Sequence, residues 1–259
     1  MVRYASLLVS AAACALLIRE RRKRCRFERL GAAALEALLD AIDANNPETG
    51  AHVRRVASFS LIIADAADLD DHEGHVIERV ALFHDIGKLD GAVSDIVQVQ
   101  TKLTAEEWEA VRTHPQRGAD VLKPLSGFFP GLPRGVVAHH ERWDGNGYPR
   151  GLKGLEIPLS ARVVAIADTF DAITHSRSYS RAKSFEAATL QIANGRGEQF
   201  DPALVDIFML PPVLKRIAKA MKSTDSPRRV NKQRRKPREA QQAPDINFRW
   251  RKQAGQPPL

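Results

Sequence analysis

The sequence predicts an all-α fold, a helical bundle, and three observations predict it. Apolar positions recur three and four apart in GAAALEALLDAI, VRRVASFSLIIADAADL, HVIERVALFHDI, SARVVAIADTFDAI and SFEAATLQIA. No stretch sustains the alternation of a half-buried strand, and there is no internal repeat. Thr104 and Glu107 stand in capping-box spacing ahead of EEWEAVRTH, which fixes a helix start from local chemistry alone.

Taken in order, residues 4–18, YASLLVSAAACALLI, are an apolar run followed by RERRKRCR. Fifteen residues fall short of the ~20 that span a bilayer. The arginines after the run fit a short anchor that leaves the rest of the chain cytoplasmic; a misassigned start or a surface-lying helix is the other reading. Between this segment and the tail the helices follow, with Pro115 expected to end or kink EEWEAVRTH after His114. DGNGYPRG is the most turn-rich internal loop. Residues 223–259 are rich in Pro, Gln, Arg and Lys without periodicity and read as a disordered tail.

The charge sits at the ends. Residues 1–28 hold seven Lys or Arg against two acids, and residues 223–259 hold ten against three. Residues 29–222 are therefore four charges to the acidic side although the whole chain is +8. The basic ends could meet an anionic membrane surface. No base-reading module is present, so a nucleic-acid partner is not predicted. Cys14 and Cys25 form neither a disulfide framework nor a thiolate metal site, which suits a reducing cytoplasm.

The chemistry lies in a spaced set of donors. Glu48 and His52 are one helical turn apart, and His84 and Asp85 are adjacent within VALFHDIGK. His114 precedes a proline, His139 and His140 are neighbours, and Asp168 interrupts the apolar VVAIADTF. Each alone has a plain explanation, such as a hydrogen-bonded core histidine or a paired acid. His72, His75 and His175 are assigned to no site for that reason. Together the donors exceed what one ion can use, and burying so many would be costly unless they held cations. Imidazole and carboxylate without thiolate suit Fe or Mn. Adjacent pairs such as His139 and His140 diverge, so each member is expected to serve a different one of two ions about 3.5–4 Å apart. Such a pair of ions suits phosphate-ester hydrolysis through a bridging hydroxide.

The segments ETGAHVRRV, FHDIGK, LTAEEWEAVRTHPQRGADVL, VVAHHERWDGNGYPRGLKGLEIPLSARVVAIADTFDAIT and FDPALVDIF occur in this order. Over residues 33–212 the chain resembles the HD-GYP domain, a bacterial branch of the HD phosphohydrolase superfamily. The resemblance implies a helical domain with two metal ions, or three where a glutamate at the position of Glu48 contributes. It implies hydrolysis of cyclic di-GMP to pGpG and, in some members, on to GMP. The implied ligands are Glu48, His52, His84, Asp85, His114, His139, His140 and Asp168. His84, Asp85 and Lys88 would carry the catalytic step, with Lys88 on the scissile phosphate. Tyr148, Asp171 and Arg177 would meet the dinucleotide. The chain departs from the family pattern at Ser176, Ser178 and Ser180 and in LDGAVSDIVQVQTK, which bears on substrate selection rather than on the metal core. A non-catalytic dinucleotide receptor and a hydrolase of a mixed cyclic GMP-AMP or of another nucleotide stay open.

Overall fold

The computed structural model describes residues 19–20, 30–44, 46–89, 104–175 and 182–224. The apolar run at 4–18, the segment 90–103, Arg177 with its flanking serines and nearly all of the basic tail lie outside the described residues. Among those described, no strand is present beyond one isolated bridge between Arg196 and Phe200, and the fold is all-α. No helix among them is long and apolar enough to cross a membrane.

Helix α1 covers residues 30–44 and buries Leu35 and Ile42. Helix α2, Pro47–Ala66, starts because Asn46 accepts hydrogen bonds from the Glu48 and Thr49 amides and Pro47 fits the first turn. Helix α3, Asp71–Phe83, starts on Asp70, whose carboxylate accepts the Glu73 amide at 2.7 Å. The apolar periodicity of HVIERVALFHDI continues past the true end of α3. The helix stops at Phe83, and His84 and Asp85 lie in the turn leading to a 3₁₀ segment, Ile86–Leu89.

Helix α4, Ala105–Arg112, carries the expected capping box, with both Thr104 and Glu107 contacts formed. The chain breaks at Thr113 rather than after His114. Pro115 sits in the first turn of a separate helix α5, His114–Leu122, where its missing N–H costs nothing. Helix α6 is Gly131–Val137, and α7, Leu159–Thr174, follows the loop containing Gly147-Tyr148-Pro149. Three helices close the described residues: α8, Phe185–Asn194; α9, Pro202–Phe208; and α10, Pro211–Thr224. The short α5, α6 and α9 offer too few turns for periodicity to announce them. Helix α10 buries Val213 and Ile217 while Lys215, Lys219 and Lys222 face out.

Helix α2 is the axis of the bundle, packed on α3, α7 and α10, and α3 also meets α6 and α7. Phe170 on α7 is fully buried and lies edge-on to Phe59, Phe185 and Phe208 at 5.4–5.7 Å between ring centres. Such edge-to-face contacts add to area burial and clamp α2 against α7, α8 and α9. That clamp sets the two helices whose polar residues face the candidate centre.

Candidate metal centre

Three histidines reach the centre by one local device. His84, His114 and His139 each follow the end of a helix by one or two residues. Each ring donates Nδ1–H to the carbonyl three residues back: Ala81 at 2.8 Å, Val111 at 2.7 Å and Val136 at 2.6 Å. This satisfies a helix-end carbonyl and fixes the tautomer, which leaves the Nε2 lone pair directed inward. The carbonyl ends of α3 and α4 thereby point at the place where positive charge would sit.

His52 differs. It projects from the second turn of α2, and its Nδ1 donates to Asp171 Oδ2 at 2.7 Å, while Nε2 lies 3.3 Å from Asp168 Oδ1. Asp168 and Asp171 are three apart on α7 and His52 and Arg55 are three apart on α2, so the two pairs interlock. Arg55 forks onto Asp171, Nε to Oδ1 at 2.7 Å and Nη2 to Oδ2 at 3.0 Å.

The donors form two groups that share one residue. Ligand atoms of Asp85, His114, His139 and His140 converge, as do those of His52, His84 and Asp85. Asp168 joins the second group through its contacts of 3.3 Å with His52 and 3.8 Å with His84. The Asp85 carboxylate divides between them: Oδ2 is 3.4 Å from His84 Nε2, and Oδ1 is 3.2 Å from His114 Nε2. The expectation for the adjacent histidines is thus corrected. His139 and His140 do not part toward different groups; their ring centres are 4.1 Å apart and both belong to one. Beyond the end of α6 the chain has left the helical spiral that would separate them by 100°.

Glu48 is exposed in the first turn of α2 and belongs to neither group. Lys88 places its ammonium 2.8 Å from Asp85 Oδ2. Asp171, expected to meet a dinucleotide, is instead 1% exposed, with its oxygens engaged by His52, Arg55 and His175. His175, assigned to no site from sequence, is therefore part of the layer behind His52. Tyr148 stacks on His140, ring centres 4.8 Å apart, and the Arg112 guanidinium lies 5.0 Å from the Tyr148 centre.

Residues that sequence reasoning passed over hold this arrangement. Arg55 was hidden beside Arg54, which turns outward to Asp43; the matched spacing of His52/Arg55 and Asp168/Asp171 was the signal. Glu141, 4% exposed, accepts the Arg150 and Leu152 amides at 2.8 and 3.0 Å and so folds the Tyr148 loop back on itself. A β-carbon at Gly147 would collide with the backbone of Glu141 and Arg142, so that loop needs a glycine there.

The residues fit a divalent cation. His84 Nε2 and Asp85 Oδ1 are buried without a hydrogen-bond partner, a costly state that an ion would relieve. Burial would raise the Asp85 carboxyl, yet Lys88, His84 and His114 hold it well below the usual carboxylate range. Burial likewise raises Asp168, but the His52 hydrogen bond and the facing imidazoles bring it well below. Burial, with His140 and His84 adjacent, pushes His139 down. Burial and the Lys88 charge push His140 down to about 3. The carboxylates are thus ionised and His139 and His140 neutral at pH 7, the forms that ligate.

Comparison with known proteins agrees with this geometry. A family model described as the HD domain matches residues 36–204. A 3'3'-cGAMP-specific phosphodiesterase of Vibrio cholerae is 36% identical over 174 residues, 66% of this chain and 33% of the relative. A probable cyclic di-GMP phosphodiesterase of the same organism is 35% identical over 204 residues, 73% of this chain and 46% of the relative. The chain therefore spans between a third and a half of the length of these curated relatives. A crystal structure of a cyclic GMP-AMP specific phosphodiesterase from V. cholerae superposes with a TM-score of 0.50 at 25% identity, covering 72% of this chain and 51% of that one. From the matched span and the His84-Asp85 pair at the heart of the centre, the chain belongs to the HD domain family, and it is of the HD-GYP type.

Proposed function

We propose that the chain is a metal-dependent phosphodiesterase that opens a cyclic dinucleotide, cyclic di-GMP first, to the linear pGpG. The observation that carries this reading is the Asp85 carboxylate, shared between two converging donor groups, with its Oδ1 and the facing His84 Nε2 buried without a hydrogen-bond partner. His52, His84, Asp85 and Asp168 would hold one ion, and Asp85, His114, His139 and His140 the other, Fe or Mn by donor type. Bound ions supply Lewis acidity that activates water and offsets charge on the phosphoryl group. Lys88 is held at the edge of the centre by Asp85, one quarter exposed, where its ammonium can meet a phosphoryl oxygen. Tyr148 offers the rim of the centre a half-buried aromatic face backed by His140, which suits packing against a base or ribose. Burial and the nearby Asp85 charge push its hydroxyl up, so it stays protonated and serves as a donor or packing surface rather than a base.

A second substrate, 3'3'-cGAMP, is favoured by the relative of that specificity at 36% identity. The test incubates the metal-loaded chain with each dinucleotide and separates products by chromatography, with His84→Ala as control. Formation of pGpG, lost in the control, is the expected result, and faster turnover of the mixed dinucleotide assigns the second substrate. Binding of either dinucleotide without any linear product would make the chain a receptor and overturn the reading.

A further inference from the structure

The two donor groups are not equivalent, and the difference lies behind His52. Three of the imidazoles, those of His84, His114 and His139, are oriented by neutral backbone carbonyls. His52, by contrast, is oriented by a carboxylate, that of Asp171. A carboxylate behind a ligating imidazole draws its Nδ1 proton and makes Nε2 a stronger donor. Asp171 cannot turn away: it is buried, Arg55 forks onto both of its oxygens, and His175 approaches Oδ1 at 3.0 Å. The His52 side also gathers two carboxylates, Asp85 and Asp168, against the single shared Asp85 on the side of His114, His139 and His140. Manganese, an oxygen-seeking ion, favours the side richer in carboxylate.

We infer that Arg55 and Asp171 are positioning residues that make the two ion positions unequal, the His52 side filling first and holding its ion more tightly. This rests on the two-ion reading of the centre and adds an order of filling to it. The three-imidazole side is then the exchangeable one, and the chain would pass through a one-ion form at limiting metal.

Calorimetric titration of the metal-stripped full chain with Mn(II), without dinucleotide, tests this. Two steps separated by at least about tenfold in affinity are expected. Asp171→Asn keeps an acceptor for His52 but removes the charge, and is expected to weaken the first step by about 10–100-fold while leaving the second within about twofold. That intact second step shows that the variant is folded. Arg55→Met is expected to weaken the first step too, with Arg55→Lys recovering part of the loss, and His139→Ala to abolish the second step alone. Two equal steps in the parent chain, or an Asp171→Asn variant whose first step is unchanged or whose second is the one weakened, overturns the inference. Failure to bind Mn(II) at all sinks it together with the two-ion reading. Two unequal steps without dinucleotide turnover would leave it standing while the proposed activity fell.

Discussion

His52 is the residue whose surroundings decide most. Burial pulls its pKa down, but the hydrogen bonds to Asp168 and Asp171 outweigh that and carry it up to about 9 in the metal-free chain. A raised pKa stabilises the fold fully below about 6.5, and the contribution is lost as pH rises through about 9. Ligation needs the neutral ring, so an ion entering this side must expel the proton. Between these two pH values metal affinity should rise with pH, and close to one proton should leave His52 on loading at pH 7.5. Calorimetry in two buffers of different ionisation enthalpy counts that proton, and a count near zero would mean that the ring is already neutral. His139 and His140, held neutral by burial and, for His140, by the Lys88 charge, should add nothing to the count.

At the scale of elements, the centre depends on how closely the turn after α3 approaches α5. A β-carbon on Gly87 would run into the His114 carbonyl and the Gly118 amide nitrogen, so the HDIGK glycine is what lets Asp85 and His114 meet. Gly87→Ala must therefore push α5 away, at about 1–3 kcal/mol for an overpacked contact, and His114 moves with it. Urea unfolding should show that loss, and Mn(II) titration should show the step assigned to His114, His139 and His140 weakened more than the other. Retained stability with both steps intact would refute this account of the glycine.

This contact also marks what the sequence could show. The apolar spacing of α2, α3 and α7 declared the bundle, and the donor types at 52, 84, 85, 114, 139, 140 and 168 declared a metal centre. The end of α3 was hidden because Val80, Ala81 and Phe83 stay buried up to a residue that is itself still α-like in backbone angle. Just beyond that end Gly87 lies against the His114 carbonyl and the Gly118 amide nitrogen, a close approach of distant backbone that periodicity does not encode. The pairing of His139 with His140, and of Asp171 with His52 and Arg55, was hidden for the same reason: both are set by tertiary packing of elements far apart in sequence.

For the molecule as a whole, the centre is a store of unfavourable burial that metal would release. Three helices end on histidines whose inward nitrogens face one another, with ring centres 5.1–5.2 Å apart for His84–His139 and His114–His139. The bundle around them is held by the apolar contacts of α2 with α3, α7 and α10, so the stripped chain should fold but with reduced stability. An ion at 100 times its dissociation constant adds about 2.7 kcal/mol. For a domain of this size that raises Tm by about 5–10 °C. Mn(II) should produce the rise and a chelator reverse it, as followed by circular dichroism. Asp85→Asn, which removes the one carboxylate common to both donor groups, should lose nearly all of the metal-induced shift. His140→Ala touches one group only and should keep a large part of it. If the two variants respond alike, Asp85 does not couple the two groups, and the centre would be two independent sites that happen to adjoin.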